Sequence, residues 1–470
     1  MWAFTSVQGE KQESVSLREH RKADRTIRYH FARADQLMLE KGTLMSKNKS
    51  RDELDPRRRS HWFSKISLKA GFSGLSSQVY VIVFLTFLLS LGINIAYSYL
   101  AMFLAGKTQT GGLAFDPSIV GLMLTIGGLS STLTLPLAGH LCDRFGRRKL
   151  MLSSLITRIV LTLGFAYAHS YAEFLLLYVA LSIMGAFYSP AYSAMIADLV
   201  EPEKREQVYG LSYMIGNVGW MVGYPIGGLI ASVSGFSPLF LYCAAFTAAA
   251  AGGFALLVKE SKPGICTESS HVARASIFMD RTFLLFCLMF FLTNFVYMQF
   301  YNLLSVYTEH MGFEPYVFGT LSSIAGAMVV TLQIPIRQGT VRIGPTKAFI
   351  VAQTLFAFGF VFFMFASNFA QFVVAIAVLT LGEIMFYPAT SAFAVNLAPV
   401  EMRGEYIALT ALFSGIGGST ASVVLFSLYG MLADKSMVWG ICGLLGFAFL
   451  PGYWLLFKVA HTESARKLRT

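Results

Sequence analysis

One acidic residue, Glu383, lies near the middle of a long apolar run, residues 369–396. If this run lies in a bilayer, an ionised and unpaired carboxylate is costly there. Glu383 must then be protonated, paired with a cation, or exposed to a water-filled cavity. An acid that alternates between its protonated and ionised forms can carry a proton and, when ionised, bind a cation. The alternative interpretation is structural, with a protonated acid hydrogen-bonded to a neighbouring helix.

Arg158 is the one basic residue placed inside an apolar run, residues 149–168. Its guanidinium must also pair or reach water. Glu383 is one possible partner, whereas snorkelling toward the surface or bonding to nearby backbone is the alternative interpretation. Glu383 and Arg158 together are the candidate proton-coupling residues.

The composition indicates that these runs cross a membrane. Apolar residues make up 55% of the chain and charged residues 13%, and the mean hydropathy is +0.58. That is too little charge for the surface of a soluble domain of this length. A helix needs about 20 apolar residues to cross the hydrocarbon, and lipid leaves only helices or closed barrels as options. We predict twelve helical spans, numbered 1 to 12 in chain order: 79–105, 117–140, 149–168, 171–197, 207–233, 236–258, 282–308, 316–336, 346–366, 369–396, 404–431 and 436–458.

The basic residues predict the orientation of these spans. With the N-terminus in the cytoplasm, 34 of the 37 Lys and Arg residues fall on the cytoplasmic side. Only Lys107 and Lys435 fall outside, and Arg158 lies within a span. This asymmetry predicts a multi-pass protein of the cell membrane with both termini in the cytoplasm. The net charge of +11 is therefore attributed to contact with anionic lipid head groups, and nucleic acid is not an expected partner.

The loop between spans 2 and 3 carries a dense charged motif, Gly-His-Leu-Cys-Asp-Arg-Phe-Gly-Arg-Arg-Lys at residues 139–149. It resembles the G-x-L-x-D-R-x-G-R-R-K loop of the major facilitator superfamily. The resemblance implies a gate motif made of Gly139, Asp143, Arg144, Gly146, Arg147, Arg148 and Lys149, with Arg403 at the start of span 11. Asp143 is expected to pair with Arg147 or a neighbouring base, and with the N-terminus of span 11, only when the cytoplasmic side is closed.

The chain also contains an internal repeat with an offset of 198 residues. Pro190 and Ser193 match Pro388 and Ser391, and Gly121, Gly128 and Gly219 match Gly319, Gly326 and Gly417. Repeats of six helices agree with the same resemblance. We therefore predict an all-α membrane protein whose twelve helices form two pseudo-symmetric six-helix bundles. The predicted domains are a polar tail 1–77, a bundle 78–258, a linker 259–281, a bundle 282–458 and a tail 459–470.

Span 5 carries regularly spaced glycines that resemble the antiporter motif of drug:proton exchangers, G-x8-G-x3-G-P-x-x-G-G. Every glycine is in place and the proline is one residue later: Gly210, Gly219, Gly223, Pro225, Gly227 and Gly228. Glycines at this spacing let another helix approach closely, and the proline bends the helix and frees a carbonyl. Generic close packing is the alternative explanation.

The resemblance further implies that spans 1, 4, 7 and 10 line a central cavity, with spans 2, 5, 8 and 11 at the bundle interface. Polar and aromatic residues on the cavity spans are the candidate substrate-binding residues: Asn94, Tyr97, Tyr188, Tyr192, Asn294, Tyr297, Gln299, Tyr301, Asn302 and Tyr387. Tyrosine and asparagine in an apolar cavity suit an amphiphile or an organic cation.

Catalysis and bound cofactors find no support in the sequence. The five cysteines show neither a disulfide framework nor metal-ligand spacing, and glycine patterns for nucleotides are missing. We expect no cofactor, no metal and no enzymatic activity, and a functional monomer.

The polar N-terminal segment permits three interpretations. Residues 25–41 form a short amphipathic helix on the membrane surface, or the segment is a solvated tail, or the native chain begins at Met45.

The leading functional prediction is a secondary transporter that works by alternating access and exports hydrophobic or amphiphilic small molecules in exchange for protons. The alternatives are proton symport or uniport of a neutral solute, such as a sugar or nucleoside, and a sensor with the transporter fold that moves nothing.

Overall fold

The computed structural model describes residues 75–108, 111–261, 277, 280–399 and 402–467. The interpretations of the N-terminal segment, including Met45, and most of the predicted linker lie outside these residues. Within them, twelve helices are long and apolar enough to cross a membrane, as the sequence predicted.

Nine of the spans are single helices and three are interrupted. Span 1 consists of Ser77–Ala96, a 3-10 turn Tyr97–Tyr99 and Leu100–Ala105; span 7 of Arg281–Tyr297 and Gln299–His310; span 12 of Met437–Ala448 and Leu450–Lys467. The others are Pro117–Phe145 (span 2), Arg147–Tyr167 (3), Tyr171–Leu199 (4), Pro202–Ser234 (5), Ser237–Leu257 (6), Pro315–Ile343 (8), Pro345–Phe365 (9), Phe369–Leu397 (10) and Arg403–Met431 (11).

Local sequence signals set many of the helix ends. Span 4 begins with a capping box in which Ser170 and Glu173 exchange hydrogen bonds. Spans 2 and 8 end at repeat-related glycines, Gly146 and Gly344, whose φ angles are +91° and +82°. Only glycine adopts this conformation without strain, so the two tight turns are preserved in both halves of the repeat.

The spans form two six-helix bundles, as the sequence predicted: spans 1–6 are the N-terminal bundle and spans 7–12 the C-terminal bundle. Spans 3 and 9 pack on the outer sides of their own bundles, and the bundles meet where span 2 packs on span 11 and span 5 on span 8. Large apolar side chains such as Leu256 and Val233 are 85% and 77% exposed, which suits contact with lipid.

The molecule has two faces. The terminal face is the one at which the described chain begins and ends. The opposite face contains the connections between spans 1 and 2, 7 and 8, and 11 and 12, and the two bundles are in close contact toward it. A Cβ added to Gly121 would lie 2.5 Å from the Ser422 carbonyl oxygen, and one on Gly228 would lie 2.7 Å from the Tyr316 Cα. Backbones this close leave no passage between the bundles.

At the terminal face the four interface spans separate. A Cβ added to Gly139, Gly210, Gly339 or Gly404, one on each of spans 2, 5, 8 and 11, would meet nothing within 4 Å. The structure is therefore the conformation that is closed at the opposite face and open at the terminal face.

Candidate functional site

Spans 1 and 7 both change their helical geometry near the centre of the molecule. Span 1 tightens into a 3-10 turn at Tyr97–Tyr99, and span 7 is interrupted at Met298 between its two helices. Interruptions of this kind direct side chains and backbone groups into a site between bundles.

Glu383 lies beside the interrupted part of span 7. The Tyr301 hydroxyl donates a hydrogen bond to its Oε1 at 3.0 Å, and the hydroxyls of Tyr297 and Tyr301 are 3.0 Å apart. The Tyr387 hydroxyl donates to Asn294 Oδ1 at 3.3 Å, and its ring packs edge-on against Tyr297. Five predicted site residues therefore form one cluster in the C-terminal bundle.

Glu383 is only 6% exposed and incompletely bonded. Its Oε2 has no hydrogen-bond partner, and among the described residues no basic side chain forms an ion pair with it. A buried oxygen without a partner is costly, so this atom is the natural point for a proton or for a cationic ligand to bind.

Aromatic residues of span 5 close the site from the N-terminal bundle. The Trp220 ring lies 5.0 Å from the Tyr301 ring and 5.5 Å from the Tyr224 ring. Tyr213 is 47% exposed and within electrostatic range of Glu383. These three residues were not predicted, because span 5 was expected to lie only at the bundle interface. Their helical spacing of seven and four residues is the signal that could have found them.

Arg158 reaches inward from span 3 to the centre of the N-terminal bundle. Its guanidinium carbon lies 5.5 Å from the centre of the Tyr97 ring, and its Nη1 would be 3.8 Å from a Cβ on Gly185. Its Nε is buried without a hydrogen-bond partner, and no ion pair forms between Arg158 and any described acid. The Arg158 side chain is half-buried and does not pair with Glu383 in this structure.

The internal repeat relates these two charged positions. Gly185 is the repeat mate of Glu383, and Phe356 is the repeat mate of Arg158. In the C-terminal bundle, the Phe356 ring packs 4.7 Å from Tyr297, just as Arg158 lies on Tyr97. The two bundles thus place an arginine and a glutamate beside equivalent positions of spans 4 and 10.

Four predicted residues of the N-terminal bundle bond within that bundle. Asn94 donates to the Ser90 carbonyl at 2.7 Å, and the Tyr97 hydroxyl lies 2.6 Å from Thr162 Oγ1. The rings of Tyr188 and Tyr192 stack on each other nearer the terminal face. Their hydroxyls lie 3.4 Å from Thr86 Oγ1 and 2.5 Å from Ser212 Oγ, respectively.

Two further predicted residues of span 7 lie apart from the cluster around Glu383. Gln299 is fully buried, and its Nε2 donates to Ser422 of span 11 at 3.4 Å. Asn302 is half-buried, and its carbonyl accepts a hydrogen bond from Ser305.

The charged motif of residues 139–149 forms contacts inside the N-terminal bundle. Arg147 is buried and its Nε lies 3.1 Å from Asp198 Oδ2, which also accepts a hydrogen bond from Ser261. The Arg148 backbone N–H donates to Glu260 at 3.1 Å, and Arg144 and Lys149 are exposed. The Asp143 side chain lies outside the described part of the structure, so its predicted pairing stays a prediction. Arg403 is exposed at the open terminal face.

The glycines of span 5 contact two different partners. Gly219, Gly223 and Gly227 pack against span 1, where added Cβ atoms would lie 2.4–2.9 Å from their nearest neighbours. Gly228 packs against span 8 across the bundle interface. Pro225 has no N–H to bond the Met221 carbonyl, and Ser323 of span 8 donates to that carbonyl at 2.7 Å. The freed carbonyl therefore accepts a hydrogen bond across the bundle interface. Gly210, the first glycine of the motif, lies near the open terminal face and contacts neither span.

A fold of two six-helix bundles around a central ionisable site defines a class of membrane transporters. The model of the Major Facilitator Superfamily matches residues 82–422, and the chain belongs to this family. It is a multi-pass membrane transporter, and the family and the fold are those of transporters, not of enzymes.

Curated relatives within the family are distant. A Na(+), Li(+), K(+)/H(+) antiporter of Planococcus maritimus is 27% identical over 378 residues, covering 73% of this chain and 88% of that protein. The multidrug resistance protein MdtH of Cronobacter sakazakii is 24% identical, covering 67% and 80%. Among solved structures, the nucleoside transporter NupG superposes with a TM-score of 0.70 at 14% identity, covering 81% of this chain and all of that one. That likeness concerns the fold alone.

Proposed function

We propose that the protein exports hydrophobic or amphiphilic organic cations across the cell membrane in exchange for protons, with its terminal face in the cytoplasm. The distribution of basic residues supports this orientation, since among the described residues Lys107 and Lys435 are the only basic ones at the opposite face. The conformation is then open to the cytoplasm, from which the substrate enters.

One observation carries the proposal: the free Oε2 of Glu383 is buried among aromatic rings. The ionised carboxylate attracts a cation, and the faces of Trp220, Tyr301 and Tyr387 add cation–π contacts of about 0.5–2 kcal/mol each. A proton neutralises the same oxygen. Proton and cation therefore compete for one site, which is the requirement for exchange.

The names of relatives support exchange and export. MdtH is a multidrug resistance protein, and the quinolone resistance protein NorA of Staphylococcus aureus is 28% identical over 166 residues, covering 35% of this chain. The Planococcus relative, an antiporter of Na(+), Li(+) and K(+), favours a second candidate, exchange of a monovalent metal ion for protons. The apolar rings around Glu383 favour the organic cation, because metal ions prefer several oxygen ligands.

The proposal is tested with protein reconstituted in liposomes in a known orientation, with a pH-sensitive dye inside. Gradients of tetraphenylphosphonium, ethidium, Na+, K+, a sugar, a nucleoside and an amino acid are applied in turn. We expect counterflow of protons only with the two organic cations. Proton counterflow with Na+ or K+ alone would favour the metal-ion exchanger. Movement of a neutral solute alone would replace export with symport or uniport, and movement of no solute would favour a sensor.

We expect Trp220→Ala to weaken tetraphenylphosphonium binding about thirtyfold, because one desolvated cation–π contact of ~2 kcal/mol is lost. Trp220→Phe keeps a ring and should lose less. Isothermal titration calorimetry measures both, with Trp454→Ala as control, since Trp454 is 53% exposed on span 12. Equal affinities for wild type and Trp220→Ala would remove Trp220 from the site.

We further propose that the Arg158 guanidinium is the positive counterpart of Glu383, because it lies beside Gly185, the repeat mate of Glu383. If so, Arg158→Leu abolishes cation-driven proton movement, and the double variant Arg158→Leu with Gly185→Arg restores part of it, because the guanidinium then arises from span 4. The dye assay measures both variants. Loss of transport without any rescue by the double variant, both proteins being folded, would indicate a structural role for Arg158 in span 3.

A further inference from the structure

At the opposite face, a buried carboxylate joins the two bundles. Glu309, in the last turn of span 7, is only 4% exposed. Its Oε1 accepts a hydrogen bond of 2.8 Å from the backbone N–H of Lys107, which follows span 1. A Cβ on Gly106 would lie 3.2 Å from Glu309 Oε2, so the carboxylate rests directly on this segment of the N-terminal bundle.

Other charged groups gather around this contact from three segments of the chain. His310 lies within electrostatic range of Lys107, Glu309, Asp434 and Lys435, and its ring packs edge-on against Tyr429. Hydrogen bonds from the Ser436 hydroxyl and N–H lower the pKa of Asp434 below its usual value, which keeps that acid ionised. The two basic residues that the sequence placed outside the membrane, Lys107 and Lys435, are thus both at this cluster.

Lys435 also fixes the end of span 11. Its Nζ donates to the carbonyls of Tyr429, Gly430 and Leu432 at 2.7–3.0 Å, which satisfies carbonyls that have no partner within the helix. The Lys435 side chain therefore holds the C-terminal bundle's part of the cluster in place, while Glu309 makes the bond across to the other bundle.

We propose that Glu309 is the latch that holds the opposite face closed, and that its release is a required step of the transport cycle. The contact with Lys107 exists only while this face is closed, because the partners belong to different bundles. It therefore shifts the equilibrium toward the conformation seen here by the strength of the bond. Hydrogen bonds to charged groups are strong enough to change such a ratio about tenfold or more. The latch requires alternating access only, so it stands apart from the identity of the substrate.

Distances between spin labels test the latch in the full chain. In a variant without its native cysteines, labels are attached at Ser237 and Met437, exposed residues at the opposite-face ends of spans 6 and 12. Double electron–electron resonance in nanodiscs should give mainly the short, closed-face distance for the parent. Glu309→Ala should raise the ratio of long to short distances about tenfold. Glu314→Gln, which alters an exposed acid at the same face, should leave the ratio unchanged.

A second variant keeps the test decisive. Glu309→Gln keeps an acceptor for the Lys107 N–H but removes the charge, so a smaller shift in the same direction is expected. If Glu309→Ala is not monodisperse, the glutamine variant alone decides. Distance distributions equal to the parent's in the folded variants, or an equal shift with Glu314→Gln, would overturn the proposal.

Discussion

Replacing Glu383 with glutamine is expected to reduce substrate-driven proton movement at least a hundredfold. Glutamine has nearly the same shape and can still accept the hydrogen bond from Tyr301, so the cluster around it should persist. Its amide can neither release a proton nor carry a negative charge. The pH-sensitive dye in proteoliposomes measures the loss directly.

Binding measurements should test the role of the Glu383 carboxylate independently of transport. In the wild type, affinity for tetraphenylphosphonium should rise with pH, because a proton leaves the oxygen that the cation needs. In Glu383→Gln, affinity should be at least tenfold weaker and independent of pH, since a charge-assisted contact of ~1.5–3 kcal/mol is lost. Glu314→Gln, an exposed acid outside the site, is the control. A variant that retains a tenth of wild-type proton movement would show that protons travel by another group.

Replacing Gly228 with leucine is expected to abolish transport by preventing closure of the opposite face. A Cβ at this position would lie 2.7 Å from the Cα of Tyr316 and 2.8 Å from the Pro315 carbonyl oxygen. These neighbours are backbone atoms, so they cannot move unless spans 5 and 8 separate. We expect the label pair at Ser237 and Met437 to report mainly the long distance.

The matched control for this variant is Gly252→Leu. Gly252 lies on the outer side of span 6, where an added Cβ would meet nothing within 4 Å. The substitution should leave transport unchanged, because leucine favours the helix and the new side chain meets only lipid. Transport at the wild-type rate in Gly228→Leu would mean that the contact between spans 5 and 8 opens readily.

Two of the three repeat-related glycine pairs lie at the bundle interface. Gly121 and Gly319 are repeat mates, and each lies at a contact between the bundles, the first on span 11 and the second on span 5. Gly128 and Gly326 are also repeat mates, and they contact Ser419 of span 11 and Met221 of span 5, respectively. The third pair, Gly219 and Gly417, instead packs within its own bundle, on spans 1 and 7. The repeat therefore marks positions of close approach but not which helix approaches.

The directions of individual side chains could not be predicted in this way. Asn294 and Tyr297 join the cluster around Glu383, but their counterparts Asn94 and Tyr97 bond to Ser90 and Thr162. The difference depends on partners from other helices, which a single sequence does not align. Glu309 was not predicted for the same reason, since it becomes notable only through its contact across the interface.

The geometry around Glu383 also has an electrical consequence. If one free carboxylate oxygen binds either one proton or one monovalent cation, each cycle exchanges one positive charge for another. Such a cycle moves no net charge, so the pH difference alone drives it and the membrane potential does not. A dication exported for a single proton would instead carry one net positive charge outward. Against an interior-negative membrane potential, this movement costs ~2.3 kcal/mol per charge for each 100 mV. The proposed exchange at a single acid therefore favours monovalent over divalent cations.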